Sequence, residues 1–454
     1  MIRRLGRIAA AGLLVLSSLA TGVGTAVAAD PVTFGVPKAT STYGKLIAFD
    51  QPVVLAAAPR RVELLLRMPG SAGPSVTEIP AQGSGDQTLH FELDLAKGHI
   101  VPNTKFVASW RVTDSDGRAW LGPSTALTYA DDSVKWNTLD GNIVRVHWYQ
   151  GGDAFGKRAL AIGDKAVADT ASLLGVTETE PIDFYIYADQ DKFYAALGPG
   201  TRENVGGQAH ADIRTMFALI TPAEIDATWV DVVVPHELTH LVFATATANP
   251  FHEPPHWLNE GLAVYLSEGY TSTYRAAVDQ VAADGTIIPL EGLAGAFPTT
   301  YDRFVLAYGE SVSAVDHIIK THDRAALVAL IRSYATGVTD DEAFKAALGV
   351  DMAGFEAEWL ASVGAKAPVR HGPQPAPPGP VPDGWSGAAP NPSVAPGTGS
   401  SPTPDANRPP TDASGANSAT GPILIALVLA AVIVGGLVLL AVSRRGRRSA
   451  PPGP

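Results

Sequence analysis

The chain has 454 residues, with 33 Lys and Arg against 45 Asp and Glu, for a formal net charge of -12. That balance argues against nucleic acid as a partner, because phosphate binding needs basic surface. There is no cysteine, so disulfides and thiolate metal sites are excluded and any metal must be held by His, Asp or Glu.

Residues 1–29 open with Arg3, Arg4 and Arg7, continue through an apolar run from Ile8, and reach Ala26-Val27-Ala28-Ala29. A basic start, a short apolar stretch and a small-residue site describe a secretory signal peptide. Residues 30–135 follow with short apolar segments, among them Leu46–Phe49, Val62–Leu66, Leu89–Leu93, Phe106–Trp110 and Ala126–Tyr129. Turn signals such as Pro69-Gly70, Pro102-Asn103 and Asp116-Gly117 separate them. This spacing predicts a β-sandwich. Asp131-Asp132 reads as a solvated turn at its boundary.

From Lys135 the texture changes. Val144–Tyr149, Ile182–Tyr187 and Thr215–Ile220 read as strands, and Ala154–Leu174 as a helix. Helices dominate from Val230 to Val363, so residues 136–365 form a second domain and the fold class is α+β. Residues 366–421 are rich in Pro, Gly, Ser and Ala, a composition that cannot bury a core and reads as a disordered linker. Residues 422–443 carry no charge and are long enough to span a bilayer. Arg444, Arg445, Arg447 and Arg448 come next in a basic tail, residues 444–454, which the positive-inside rule assigns to the cytoplasm. The expectation is a single-pass cell-membrane protein with both folded domains outside.

His236-Glu237-Leu238-Thr239-His240 carries the chemistry. Histidines at i and i+4 share one face of a helix and can reach a single Zn2+. Glu237 sits at the edge of that face, suited to take a proton from metal-bound water. Pro235 is tolerable if it falls in the first turn. A second match, His252-Glu253-Pro254-Pro255-His256, contains two prolines, cannot be regular helix, and reads as a loop. A helix signal then begins at Trp257. It carries Glu260, 20 positions beyond His240. A helix, a loop and a returning helix fit that interval, so Glu260 can face the histidines. A lone Glu on such a helix is ordinarily a surface charge; in this context it reads as the third ligand, leaving a fourth position for water. His210, His317 and His322 read as loop or surface residues.

Val233–His240 together with Trp257–Ala263 resembles the gluzincin group of zinc peptidases, which includes thermolysin and the zinc aminopeptidases, and within it the peptidase MA-like family. The resemblance covers about residues 136–363. It implies a thermolysin-like zincin domain holding one Zn2+, and hydrolysis of peptide or protein substrates. It also implies an oxyanion-stabilising Tyr at the opening of a helix: Tyr308 matches by position, with Tyr301 as rival. Two departures stand out. The aminopeptidase motif that binds a free N-terminus is not recognisable; Gly206–Ala209 and Thr215–Ile220 occupy that region, where an edge strand could hold extended peptide. This favours an endopeptidase. And the acidic residue expected four positions after the ligand Glu is Val264, so another group, such as a backbone carbonyl, must orient the histidines. The alternative from another class is a catalytically silent surface-binding protein that keeps the fold.

Overall fold

A computed structural model describes residues 30–80, 83–199 and 206–367. The expected signal peptide, nearly all of the linker, the transmembrane segment and the basic tail lie outside the described residues. Among the described residues no helix is long and apolar enough to cross a membrane.

The first part is all-β: β1 (Val32–Phe34), β2 (Lys38–Thr42), β3 (Leu46–Leu55), β4 (Arg61–Arg67), β5 (Ser75–Ile79), β6 (Gly85–Asp94), β7 (Lys105–Thr113), β8 (Ala119–Leu121) and β9 (Thr125–Thr128). They make two antiparallel sheets. In one, β3 pairs with β6 along one edge and with β1 and β2 along the other. In the other, β7 pairs with β4 on one side and with β8 and β9 on the opposite side, and β5 closes the β4 edge. Alternate residues of each sheet face a shared core, with Ile47 and Phe49 from one meeting Leu64, Phe106 and Trp110 from the other. The period-2 alternation of β4 and β7 is the cause: burying one face of each sheet against the other removes both apolar faces from water.

The second part interleaves β10 (Asn137–Asp140), β11 (Val144–Trp148), α1 (Asp153–Leu174), β12 (Ile182–Tyr187), α2 (Gln190–Leu197), β13 (Gly207–His210) and β14 (Thr215–Leu219). Five strands form one mixed sheet in the order β10-β11-β12-β14-β13. The central β11, β12 and β14 run parallel, and the two edge strands are antiparallel. Six helices follow: α3 (Val230–Thr247), α4 (His256–Ser267), α5 (Ser272–Asp284), α6 (Tyr301–Ser333), α7 (Asp340–Leu348) and α8 (Met352–Ser362). The architecture is mixed α+β.

One hydrophobic cluster runs from β11 and β12 through α1 and α3 into α4, α6 and α8. Helix α3 is apolar nearly all round, with buried residues on every face, the pattern of a helix packed on all sides. It lies against α1, α4 and the edge strand β13.

Of the histidines read as loop or surface residues, none lies in a loop, and none belongs to the His236, His240 and Glu260 cluster. His210 ends β13 and its half-buried ring sits edge-on to Phe217; desolvation pushes its pKa down to about 4. His317 and His322 are half-buried on α6. Asp131 is 4% exposed and accepts the Tyr187 hydroxyl at 2.9 Å, so it belongs to the junction between the two parts and not to a solvated turn.

Candidate metal centre

Helix α3 carries His236, Glu237 and His240, all buried. Pro235 lies in the second turn, since the helix begins at Val230. It leaves the Asp231 carbonyl without its helical donor, and Asp231 is exposed, where water can replace that bond. The chain leaves α3 after Thr247 and turns through a loop in which the Asn249 side chain holds the His252 and Tyr334 carbonyls. It re-enters helix α4 at His256, directly after Pro255. Trp257 anchors α4 by stacking on Phe355, ring centroids 5.9 Å apart.

This return places Glu260, 0% exposed, beside the paired imidazoles. Its Oε2 is 3.3 Å from His236 Nε2 and 3.6 Å from His240 Nε2. One ligand atom from each of the three residues lies within 4.8 Å of the others. Two ligand atoms each about 2.1 Å from a tetrahedral ion stand about 3.4 Å apart, so the spacing is that of a zinc cage.

The local chemistry points the same way. His240 Nε2, Glu260 Oε1 and Glu237 Oε2 are buried with no hydrogen-bond partner. What distinguishes these three is that they meet in one place, a set of buried donors to a cation that lacks its partner. Burial pushes the His236 and His240 pKa values down, His240 to about 4. It pushes Glu260 up, reinforced by the nearby Glu237. Neutral imidazoles around a carboxylate that burial resists ionising are a poor resting arrangement without a cation and a good donor set with one.

The orientation of the His240 ring comes from a residue that sequence reasoning missed. Asn259 Oδ1 faces His240 Nδ1 at 2.8 Å. An acceptor there keeps the proton on Nδ1 and turns the Nε2 lone pair inward. The group that orients His240 is thus a side-chain amide, one residue before Glu260. Val264, at the position of the missing acid, is core.

Glu237 is held from the sheet side. The Ala209 N–H of edge strand β13 hydrogen-bonds its carboxylate, while burial pushes its pKa up to about 8. Gly207 makes that approach possible: a Cβ there would lie 2.9 Å from Val233 Cγ1 and 3.0 Å from Glu237 Cγ. Tyr308 is buried, its ring centroid 6.4 Å from that of His236, between Phe297 and Phe304. It lies in the third turn of α6, which opens at Tyr301; Tyr301 is 58% exposed.

The family model of the peptidase MA superfamily matches residues 162–365, the stretch that contains the whole cluster. Comparison with curated proteins finds no match. Among solved structures, this chain is similar to an aminopeptidase N family protein from Idiomarina loihiensis, at 10% identity, covering 73% of this chain and 76% of that one with a TM-score of 0.41. It is similar to an M1 zinc metallopeptidase from Deinococcus radiodurans at 12% identity, covering 77% and 95%, with a TM-score of 0.31. The match to OgpA from Akkermansia muciniphila has 13% identity and a TM-score of 0.18, and covers 22% of this chain and 28% of that protein.

Proposed function

We propose that the protein is a zinc-dependent peptidase of thermolysin-like architecture, a reading supported by the match of residues 162–365 to the family model of the peptidase MA superfamily. The observation that carries the reading is the convergence of His236, His240 and Glu260 in one buried cluster. These three residues hold Zn2+. The ion, when bound, supplies a Lewis acid that polarises the scissile carbonyl and acidifies water.

The remaining work belongs to side chains and backbone. Glu237 takes the proton of the attacking water and passes it to the leaving amine. Burial raises its pKa; a divalent cation held by His236, His240 and Glu260 would act in the opposite sense and favour the carboxylate. The Ala209 N–H keeps that carboxylate aimed. Tyr308 stabilises the developing oxyanion; its closeness to His236 supports it over the exposed Tyr301. Edge strand β13 receives extended substrate as an added antiparallel strand, which fits cleavage within a peptide. The signal-peptide pattern at residues 1–29 and the uncharged run 422–443 with its arginine flank support a membrane-anchored protein whose domain works outside the cell.

The test is Glu237→Gln. It should keep stoichiometric zinc by metal analysis and lose cleavage of a peptide library by roughly 100-fold or more. Full cleavage by this variant would remove Glu237 as the base. Zinc uptake without chelator-sensitive cleavage in the wild type would instead favour a silent binding protein.

A further inference from the structure

The second His-Glu-x-x-His stretch, residues 252–256, is a loop that ends by opening α4. Its first imidazole is committed elsewhere: His252 Nε2 faces Asp340 Oδ1 at 3.0 Å and the ring stacks on Tyr334. His256 stands at the first position of α4. Its backbone N–H donates to the Ala294 carbonyl at 2.7 Å, and its ring sits edge-on to Phe297, centroids 4.6 Å apart. Both contacts fix where the imidazole points.

Glu260 lies four residues further along the same helix, so the two side chains share a face. His256 Nε2 is 3.4 Å from Glu260 Oε1. The other oxygen, Oε2, is the one that faces His236 and His240. The two carboxylate oxygens therefore have different neighbours, and His256 is not one of the three residues that converge on the cage. Oε1 is buried and makes no hydrogen bond at this separation. At 3.4 Å a small turn of the ring or the carboxylate, with a slight approach, would align the Nε2–H on Oε1, and contacts of this kind commonly tighten when a site is filled.

We propose that His256 is a positioning residue whose Nε2–H holds Glu260 Oε1 away from the metal, so that Glu260 binds zinc through Oε2 alone. The inference rests on the zinc reading of the cluster. A one-oxygen Glu leaves the fourth coordination position to water, as a catalytic zinc needs. Without the restraint, the carboxylate can turn to bind through both oxygens and crowd that position. The role falls to a histidine here because the i to i+4 geometry of α4 and the Phe297 edge leave its Nε2 facing the far side of Glu260.

The test uses the full-length protein and two variants. His256→Phe keeps a ring against Phe297 and removes the donor; His256→Gln returns an N–H near the former Nε2. Zinc affinity is measured by chelator competition, and coordination by the visible spectrum of the cobalt-substituted protein. The Phe variant should bind zinc roughly 10–100-fold more weakly and show a cobalt band of weaker, higher-coordinate character. The Gln variant should recover most of both. A Phe variant with wild-type affinity and spectrum would overturn the role of His256 while leaving the zinc reading intact, as would a Gln variant as impaired as Phe. Wild-type protein that takes up neither metal would remove the zinc reading and this inference together.

Discussion

At the scale of single residues, the strongest constraint is what each buried polar atom faces. Asn259 gives the clearest case. With its Oδ1 at 2.8 Å from His240 Nδ1, Asn259→Ala should weaken zinc binding roughly 10–100-fold, measured by chelator competition. Asn259→Asp, which keeps the acceptor, should lose much less. The pairing of His236 and His240 was legible in the sequence because spacing alone puts two imidazoles on one helix face. The orienting partner was not, because which group reaches Nδ1 depends on how α3 and α4 cross. Glu310 is another buried carboxyl. Its Oε1 accepts the Ile288 N–H at 3.0 Å, Oε2 has no partner, and burial pushes its pKa up to about 8. Between its ordinary value of 4.5 and about 8, the folded state keeps a proton that the unfolded chain has lost. Stability from this group therefore falls as pH rises through that window. Glu310→Gln should melt a few degrees above wild type at pH ~8.5 and close to it at pH ~5, read by thermal melts at both values. Equal melting points at both would mean that Glu310 ionises freely.

At the scale of elements, the cage is set by close helix contacts more than by propensity. Gly261 follows Glu260 on α4, and a Cβ there would lie 2.4 Å from the Ser311 carbonyl of α6. That atom is backbone and cannot swing aside. Gly261→Ala should therefore push α4 off α6, destabilise the domain by about 1–3 kcal/mol, and weaken zinc binding by displacing Glu260. Denaturant melts and chelator competition check the two effects; unchanged values in both would show that the helices separate without cost. Long periodic elements such as α1 and β4 could be read from apolar spacing. The short ones could not: β2 is Lys-Ala-Thr-Ser-Thr and β13 is Gly-Gln-Ala-His. Neither has an apolar stripe, and each is recruited by its partner strand. The opening of α6 at Tyr301, two turns before Tyr308, was hidden for a related reason. Ser272–Asp284 and Tyr301–Ser333 are both amphipathic, so the pattern does not mark where the second begins.

At the scale of the whole molecule, the change of texture near Lys135 marked two cores, but nothing local to either part reported how they are joined. The junction is polar and long-range. Asn103, at the end of a sandwich loop, donates its Nδ2 to Asp183 Oδ2 at 2.9 Å and to Thr215 Oγ1 at 2.8 Å, on neighbouring strands of the second sheet. Asp183 in turn faces His147 Nε2 at 2.8 Å. The partners are 80 and 112 positions apart in the chain, which is why Asn103 looked like a turn residue. It is also that: its φ of 69° is left-handed, a conformation that favours Asn and Gly. This double role decides the right test. Asn103→Ala would lose the amide and strain the backbone together. Asn103→Gly keeps the backbone at ease and removes only the side chain. The Gly variant should lose about 1–3 kcal/mol, because Asp183 stays buried with one donor fewer, while its zinc affinity stays at the wild-type level. Denaturant melts paired with chelator competition read both quantities. A Gly variant as stable as wild type would mean that the Asn103 amide does not help couple the two cores.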